Sequence, residues 1–433
     1  MIFIGFALVM IIGTGLLMLP FSKVGPGGAS LIEAFFTAVS AISVTGLVIV
    51  DTPTYWTFFG QVVILVLIQI GGFGVMVLAS VIGIAVARKL SLQARVNAAQ
   101  ETKSFGLTDV RKIVLSIVRI SLMFEGAAAI ILFAWFALRY DVPVGEAAWL
   151  GIFHAVSSFN NAGFGLFSDS FMSYVTDPVI SLTISAAIII GGLGFPVLMQ
   201  LRRYWRVPLK WTMNTRIVLS FTVILLVAGT VYITAIEWNN PATLGPLDWP
   251  GKILAGFFQS VQTRTAGFNS IDIGATDGAT QFGMIALMFI GGGSAGTAGG
   301  IKVTTFAVLL FILVAEIRGD GVVNVFGKRL SRAVHRQAIS VVLLAVGVVT
   351  AATVAIMIMT GLPLGPVLFE AVSAFGTVGM STGITAGLPP AAQIILCLLM
   401  FIGRLGPITF ASALALRERG ILYQLPKERP IIG

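Results

Sequence analysis

Hydrophobic and polar positions divide the chain into recurring blocks. Long apolar runs occupy 2–19, 113–138, 217–236 and 338–359, and a second set occupies 56–87, 179–200, 281–314 and 391–416. Between the two long runs of each block lies a shorter one: 31–42, 147–159, 253–262 and 366–375. A helix needs roughly 20 apolar residues to cross about 30 Å of hydrocarbon, so the long runs read as spans. The short runs fall well below that length and read as re-entrant half-helices.

The ends of the short runs repeat as well. Ala38-Val39-Ser40-Ala41 leads to Gly46, Ala155-Val156-Ser157-Ser158 to Gly163, and Ala371-Val372-Ser373-Ala374 to Gly379. A weaker copy, Phe258-Gln259-Ser260-Val261, leads to Gly267. These glycines lie 117, 104 and 112 residues apart, so four diverged copies of one unit fill the chain. Each unit reads helix, half-helix, Gly-turn, helix. The predicted fold class is an all-α integral membrane protein with eight transmembrane helices and four re-entrant pore helices around one pseudo-fourfold pore. The expected boundaries are repeat 1 at 1–90, a connection at 91–112, repeat 2 at 113–206, repeat 3 at 207–317, a connection at 318–336, repeat 4 at 337–418 and a tail at 419–433.

Composition excludes a water-soluble enzyme. The 433 residues are 57% hydrophobic and 10% charged, with a mean hydropathy of +0.99, whereas soluble chains carry about 25% charged residues. Cys397, His154 and His335 are too few for a disulfide framework or for a zinc, haem or di-iron site. The chain enters an apolar run at Ile2 with no basic stretch before it, so no secretory signal is expected.

Charge sets the orientation. Arg88, Lys89, Arg95, Lys103, Arg111 and Lys112 cluster between units, as do Arg202, Arg203, Arg206, Lys210 and Arg216, then Arg318, Lys328, Arg329, Arg332 and Arg336. With Arg417, Arg419, Lys427 and Arg429 they make up 20 of the 27 basic residues. Basic loops stay inside, which puts these connections and both termini in the cytoplasm of a cell inner membrane. Asp51, Asp141, Asp169, Asp177, Asp248, Asp272 and Asp277 fall on the outer side, either as ordinary loop charges or as an acidic vestibule that concentrates cations. The net charge of +9 is read as this loop bias and not as nucleic-acid binding.

The four turns are Ser43-Val44-Thr45-Gly46-Leu47, Asn160-Asn161-Ala162-Gly163-Phe164, Arg264-Thr265-Ala266-Gly267-Phe268 and Gly376-Thr377-Val378-Gly379-Met380. Glycine permits positive φ, so successive carbonyls can point to one side. Such backbone at membrane depth must line a water path or bind an ion. Four turns about one axis would form carbonyl rings able to replace a cation's water shell. The candidate ion-binding residues are therefore Val44, Thr45, Gly46, Asn161, Ala162, Gly163, Thr265, Ala266, Gly267, Thr377, Val378 and Gly379. The helix dipole at the end of each half-helix favours a cation there too.

The strings SAISVTGL (40–47), FNNAGF (159–164), TRTAGFNS (263–270) and SAFGTVGM (373–380), in this order along the whole chain, resemble the Trk/Ktr/HKT superfamily of potassium-uptake proteins. They are most like the membrane subunits of Ktr systems. The resemblance implies K+ as the transported ion at the turn residues, Na+ as an activator or coupling ion, and no organic cofactor. It implies a homodimer in membrane lipid on a cytoplasmic KtrA-like nucleotide-binding regulatory ring. The chain carries no phosphate-binding loop of its own. The tail 425–433, with an apolar end after two prolines, is a candidate subunit contact.

Gly291, Gly292, Gly293, Ser294, Gly296, Thr297, Gly299 and Gly300 interrupt the last span of repeat 3. Six glycines in ten residues cannot hold a helix at about 1 kcal/mol each. A nucleotide-phosphate loop is excluded because Lys302 is followed by Val303. In the resembling family this stretch is an intramembrane loop that gates the pore. Arg404, inside the last span, is expensive in lipid. It either faces the pore, raising the cation barrier and pairing with carbonyls of 291–300, or forms an ion pair, with Glu125 as the candidate partner. Arg119 and Lys302 are expected to snorkel toward the cytoplasm. Glu33, Glu146 and Glu370 are expected as outer-side helix charges or links to neighbouring loops, and His154 as a packed histidine.

Two other classes compete. A secondary transporter of an organic solute would show inverted repeats with two broken helices, where this sequence shows four parallel repeats and one break. A membrane enzyme would need paired intramembrane carboxylates or a His cluster, and neither is present. A TrkH-type symporter of the same superfamily remains an alternative, although that branch carries two further N-terminal helices.

Overall fold

The computed structural model describes residues 2–89 and 110–416. The first helices are α1 (Ile2–Leu17), α2 (Leu31–Ile42), the single turn α3 (Thr52–Tyr55) and α4 (Phe58–Lys89). After the first connection come α5 (Val110–Arg139), α6 (Val144–Phe159), α7 (Pro178–Leu193) and α8 (Phe195–Tyr204). Then come α9 (Met213–Glu237), α10 (Trp249–Gln262), α11 (Gly278–Phe289) and α12 (Val303–Arg318). A small hairpin of β1 (Asn324–Val325) and β2 (Lys328–Arg329) leads to α13 (Arg332–Thr360), α14 (Leu364–Gly376) and α15 (Pro390–Leu416).

Helix boundaries follow local chemistry. Ser30 and Glu33 form a reciprocal capping box at α2. Asp177, Asp248 and Asp277 cap α7, α10 and α11, and Asp272 caps the turn at Ile273–Ala275. Most of the acids that lend the turn side its negative sign thus have a local structural task. Gly319 and Gly361 end α12 and α13 in left-handed conformation.

α5, α9 and α13 are long and apolar enough to cross a membrane, and α7 with α8 would make a fourth span if the pair counts as one. Their most apolar windows are only 33–39% buried inside the protein. Exposed positions such as Leu8, Ile11, Ile130, Val223, Val227, Leu343 and Ile358 form apolar faces that water does not tolerate at this extent.

Among the described residues two of the long apolar runs are broken, where the sequence pattern shows one. The Gly-rich stretch separates α11 from α12 as expected. In addition, the apolar run 179–200 bends by 98° at Gly194, between α7 and α8. Gly194 has φ +91°, and a Cβ there would lie 2.4 Å from Ser294 O. The Gly-rich loop packs directly on the backbone at this bend. Residues 91–109 of the first connection and the tail 419–433, including 425–433, lie outside the described residues.

Candidate functional site

The four short helices α2, α6, α10 and α14 bring their C-terminal ends together. Beyond each end, two positions are left-handed with one ordinary residue between them. These are Val44 and Gly46 (φ +55° and +92°), Asn161 and Gly163 (+59°, +70°), Thr265 and Gly267 (+69°, +78°), and Thr377 and Gly379 (+50°, +91°). Thr45, Ala162, Ala266 and Val378 are the residues between, and all are buried.

The turns close on one another as a ring. A Cβ built on Gly46 would lie 2.4 Å from Ala162 O, one on Gly163 2.6 Å from Ala266 O, one on Gly267 2.2 Å from Val378 O, and one on Gly379 2.1 Å from Thr45 O. Each glycine thus faces the carbonyl that precedes the next glycine, around all four turns. Only a residue without a side chain permits that approach.

The recurring serine explains the motif before each turn. Ser40 O accepts from Thr45 N–H at 2.8 Å while Ser40 Oγ accepts from Gly46 N–H at 3.1 Å. Ser373 does the same for Val378 and Gly379, at 2.8 and 3.1 Å. Ser157 O accepts from Ala162 N–H at 2.7 Å, and its hydroxyl donates to Phe164 O. In the third unit Gln262 takes this place, accepting from Ala266 N–H and, through Oε1, from Phe268 N–H at 3.1 Å. That substitution is why the third motif is the weakest in sequence.

The Gly-rich loop is pinned against the ring. Its neck is closed by Gly291 N–H donating to Ile301 O at 2.7 Å. Gly299 approaches so closely that a Cβ would lie 2.0 Å from Thr377 Oγ1. Thr297 Oγ1 donates to Asn161 Oδ1 at 2.7 Å. Gly293 N–H and Thr297 N–H donate to Gly192 O and Gly191 O, and Phe195 N–H donates to Ala295 O at 3.1 Å. Ser294 and Thr304 hydroxyls meet at 3.1 Å. Gly292, Gly296 and Gly300 complete the loop's close backbone contacts.

Three cations are buried here. Arg404 donates from Nη1 to Thr297 O and from Nη2 to Gly71 O at 3.3 Å, which joins the loop to α4. Of the two roles the sequence left open, the geometry has Arg404 on loop carbonyls. Glu125 accepts instead from Gln69 Nε2 and Asn160 Nδ2, at 3.0 and 3.1 Å. Lys302 does not snorkel. It is buried, and its Nζ donates to Ala298 O at 2.5 Å. The loop folds back so that one of its own carbonyls meets the Lys302 charge. Arg264 was seen only as a turn residue. It is buried and donates to Ile290 O and Gly291 O, both at 2.9 Å. Its signal in the sequence was a charge inside an apolar motif. Arg119 lies on an exposed face.

The remaining candidates hold loops. Glu370 accepts from Ser381, Thr382 and Thr385 and fixes the chain after the fourth turn. Glu33 accepts from Tyr55 Oη at 2.6 Å, and Glu146 sits exposed in the first turn of α6. His154 is packed as expected. Its Nδ1 meets Leu150 O at 2.8 Å, and its Nε2 accepts from Leu166 N–H at 3.1 Å.

A family profile described as TrkH, cation transport protein, matches residues 12–419. The chain is 40% identical to the Ktr system potassium uptake protein B of Bacillus subtilis over 416 residues, covering 96% of this chain and 92% of that protein. It is 37% identical to the protein of the same name from Vibrio alginolyticus, covering 100% of this chain and 94% of that one. In three dimensions it is similar to the potassium transporter TrkH of Vibrio parahaemolyticus, with a TM-score of 0.70 at 18% identity over 95% of this chain and 84% of that one. That match speaks for the fold alone. The profile and the two sequence relatives carry more, and on them the chain belongs to the TrkH family, whose members are cation transport proteins and not enzymes.

Proposed function

We propose that this protein takes up K+ across a bacterial cytoplasmic membrane through the centre of the four-turn ring. The observation that carries the reading is ring closure. Each of four glycines lies against the carbonyl preceding the next, at distances only glycine permits. Carbonyl oxygens gathered in this way replace the hydration shell of a cation. The potassium uptake named for both sequence relatives supplies the ion.

In this reading each unit is a membrane helix, a re-entrant helix ending at the ring, and a second membrane helix. That makes eight spans and four re-entrant helices, with both termini in the cytoplasm. K+ dehydrates at the carbonyls of the residues around Gly46, Gly163, Gly267 and Gly379. It then meets the loop 291–300, with Arg404 behind it, as the gate. A homodimer on a cytoplasmic nucleotide-binding ring controls that gate, and Na+ acts as activator or coupling ion. Uptake of Rb+ into liposomes carrying the purified protein, with K+, Na+ and Cs+ as competitors, is the test. Rb+ entry displaced best by K+ is the expected result. No entry, or equal competition by Na+, overturns it.

A further inference from the structure

The second break, at Gly194, joins the loop to a surface of distinct chemistry. α7 has 16 residues, which at 1.5 Å each makes about 24 Å, enough to cross most of the roughly 30 Å hydrocarbon layer. The 98° bend then turns α8 nearly perpendicular to α7, so α8 lies along the interface instead of crossing it. One side of α8 packs inward through Phe195 and Val197. Its end and the following turn carry Arg202, Arg203, Arg206 and Lys210, all exposed, beside exposed Trp205 and Leu209, the latter 88% accessible.

The aromatic and basic side chains are interleaved. Arg206 lies 4.6 Å from the Trp205 ring, while Arg203 and Lys210 lie 5.2 and 5.6 Å from the Tyr204 ring. From residue 178 to 236 there is no Asp or Glu, so no acid in this stretch offsets the charge. Tryptophan and tyrosine favour the headgroup level of a bilayer, and clustered Lys and Arg favour its anionic lipids.

We propose that α8 and the turn 205–210 bind anionic phospholipid headgroups of the cytoplasmic leaflet, and that this contact holds the Gly-rich loop in its pinned position. The link is short. The first peptide of α8, Phe195 N–H, donates to Ala295 O of the loop, and Gly194 packs on Ser294 O. A lipid that fixes α8 therefore fixes two consecutive loop residues, and losing it frees them. The coupling to flux rests on the transport reading above, whereas lipid binding stands on the surface itself.

The test compares the full-length protein with the quadruple variant R202Q/R203Q/R206Q/K210Q. None of these residues touches the ring or the loop among the hydrogen bonds described. Native mass spectrometry counts retained phosphatidylglycerol. Rb+ uptake is measured in phosphatidylcholine liposomes with and without phosphatidylglycerol. The unmodified protein should retain phosphatidylglycerol, and its flux should rise about fivefold when that lipid is withdrawn, the low end of ordinary coupling between sites. The variant should retain less of the lipid and show the same, higher flux in both liposomes. Equal lipid retention by the two proteins overturns the site and leaves the face to an acidic soluble partner. Reduced retention with an unchanged lipid dependence of flux overturns the coupling. If no Rb+ enters under any condition, the coupling falls with the transport reading, and retention alone decides the lipid site.

Discussion

Gly267→Ser is the sharpest perturbation of the ring. Gly267 has φ +78°, a conformation that costs a non-glycine residue roughly 1–2 kcal/mol. The larger effect is steric. The new Cβ would sit 2.2 Å from Val378 O, 2.9 Å from Gly379 Cα and 3.1 Å from Gly379 C. All three atoms are backbone of the next turn, so no side chain can swing aside. Ordinary contact begins near 3.4 Å, so Val378 O must retreat by about 1.2 Å. If Val378 O coordinates the ion as proposed, a loss on the order of 1–2 kcal/mol of K+ over Na+ binding would read as about 5–30-fold in preference. Competitive Rb+ uptake in liposomes measures this directly. Gly347→Ala is the control, because it lies in α13 with no atom within 4 Å of the new Cβ, and it should leave the preference unchanged. A Gly267→Ser protein with the rate and K+ preference of the unmodified chain would refute the assignment of this turn to ion coordination.

Other expectations follow from the pinned loop and the outer caps. Arg404→Ala, or deletion of 293–299, removes part of the barrier and should raise Rb+ flux; unchanged or lower flux in a well-folded variant would mean that these residues only hold helices together. Arg264→Gln loses charge-assisted bonds to Ile290 O and Gly291 O, worth roughly 1.5–3 kcal/mol, and should raise flux and reduce K+ preference together. Asp177→Ala removes the cap of α7, which costs about 1–2 kcal/mol and should lower the melting temperature in detergent. Burial alone would raise the Asp177 carboxyl, but bonds from Trp135, Ile180 N–H, Tyr140 and Val179 N–H outweigh it and hold the group below its usual range. Its contribution is thus complete above the unfolded value near ~3.9 and lost as pH falls through the lower folded value, so Asp177→Asn should flatten acid destabilisation below about pH 4. Mass measurement in detergent should give a dimer for the intact chain and a monomer without 425–433.

The repeated units were legible because their signals are local. Apolar runs of two lengths, a serine six residues before each of three glycines, and a glycine at the end of every short run are all visible along the chain. The ring itself rests on the same glycines. The supports beneath it were only partly legible: the sequence offers Arg404 the carbonyls of 291–300 as one of two roles, but not Lys302 or Arg264 as donors to that loop. Arg404 and Thr297 are 107 residues apart, and Arg404 and Gly71 are 333 apart. A main-chain acceptor has no residue type to betray it, so Lys302 looked like an interfacial charge and Arg264 like part of a turn. Gly194 was hidden for a related reason: one glycine in an apolar run signals nothing until the Ser294 carbonyl stands where its Cβ would be.

Pseudo-symmetry shows why the third unit differs. In the other units a glycine of the second long helix packs against a carbonyl at the end of the short helix. A Cβ on Gly71 would lie 2.0 Å from Ile42 O, on Gly191 1.9 Å from Phe159 O, and on Gly403 1.8 Å from Phe375 O. Gly403 follows its ring glycine by 24 residues, and Gly291 follows Gly267 by the same 24. At that place in the third unit the helix has ended, and Gly291 O accepts from Arg264 instead. Carbonyls of the broken span lack the N–H four residues on that a helical carbonyl bonds, and Ile290 O and Gly291 O take the Arg264 guanidinium instead. Breaking the helix and burying Arg264 therefore belong together. The free carbonyls of 290–300 would be costly at this depth, and Arg264, Arg404 and Lys302 supply donors to four of them. Arg264, Arg404 and Lys302 thus hold the loop together, and under the transport reading proposed above each of the three contacts is a place where a change could loosen it.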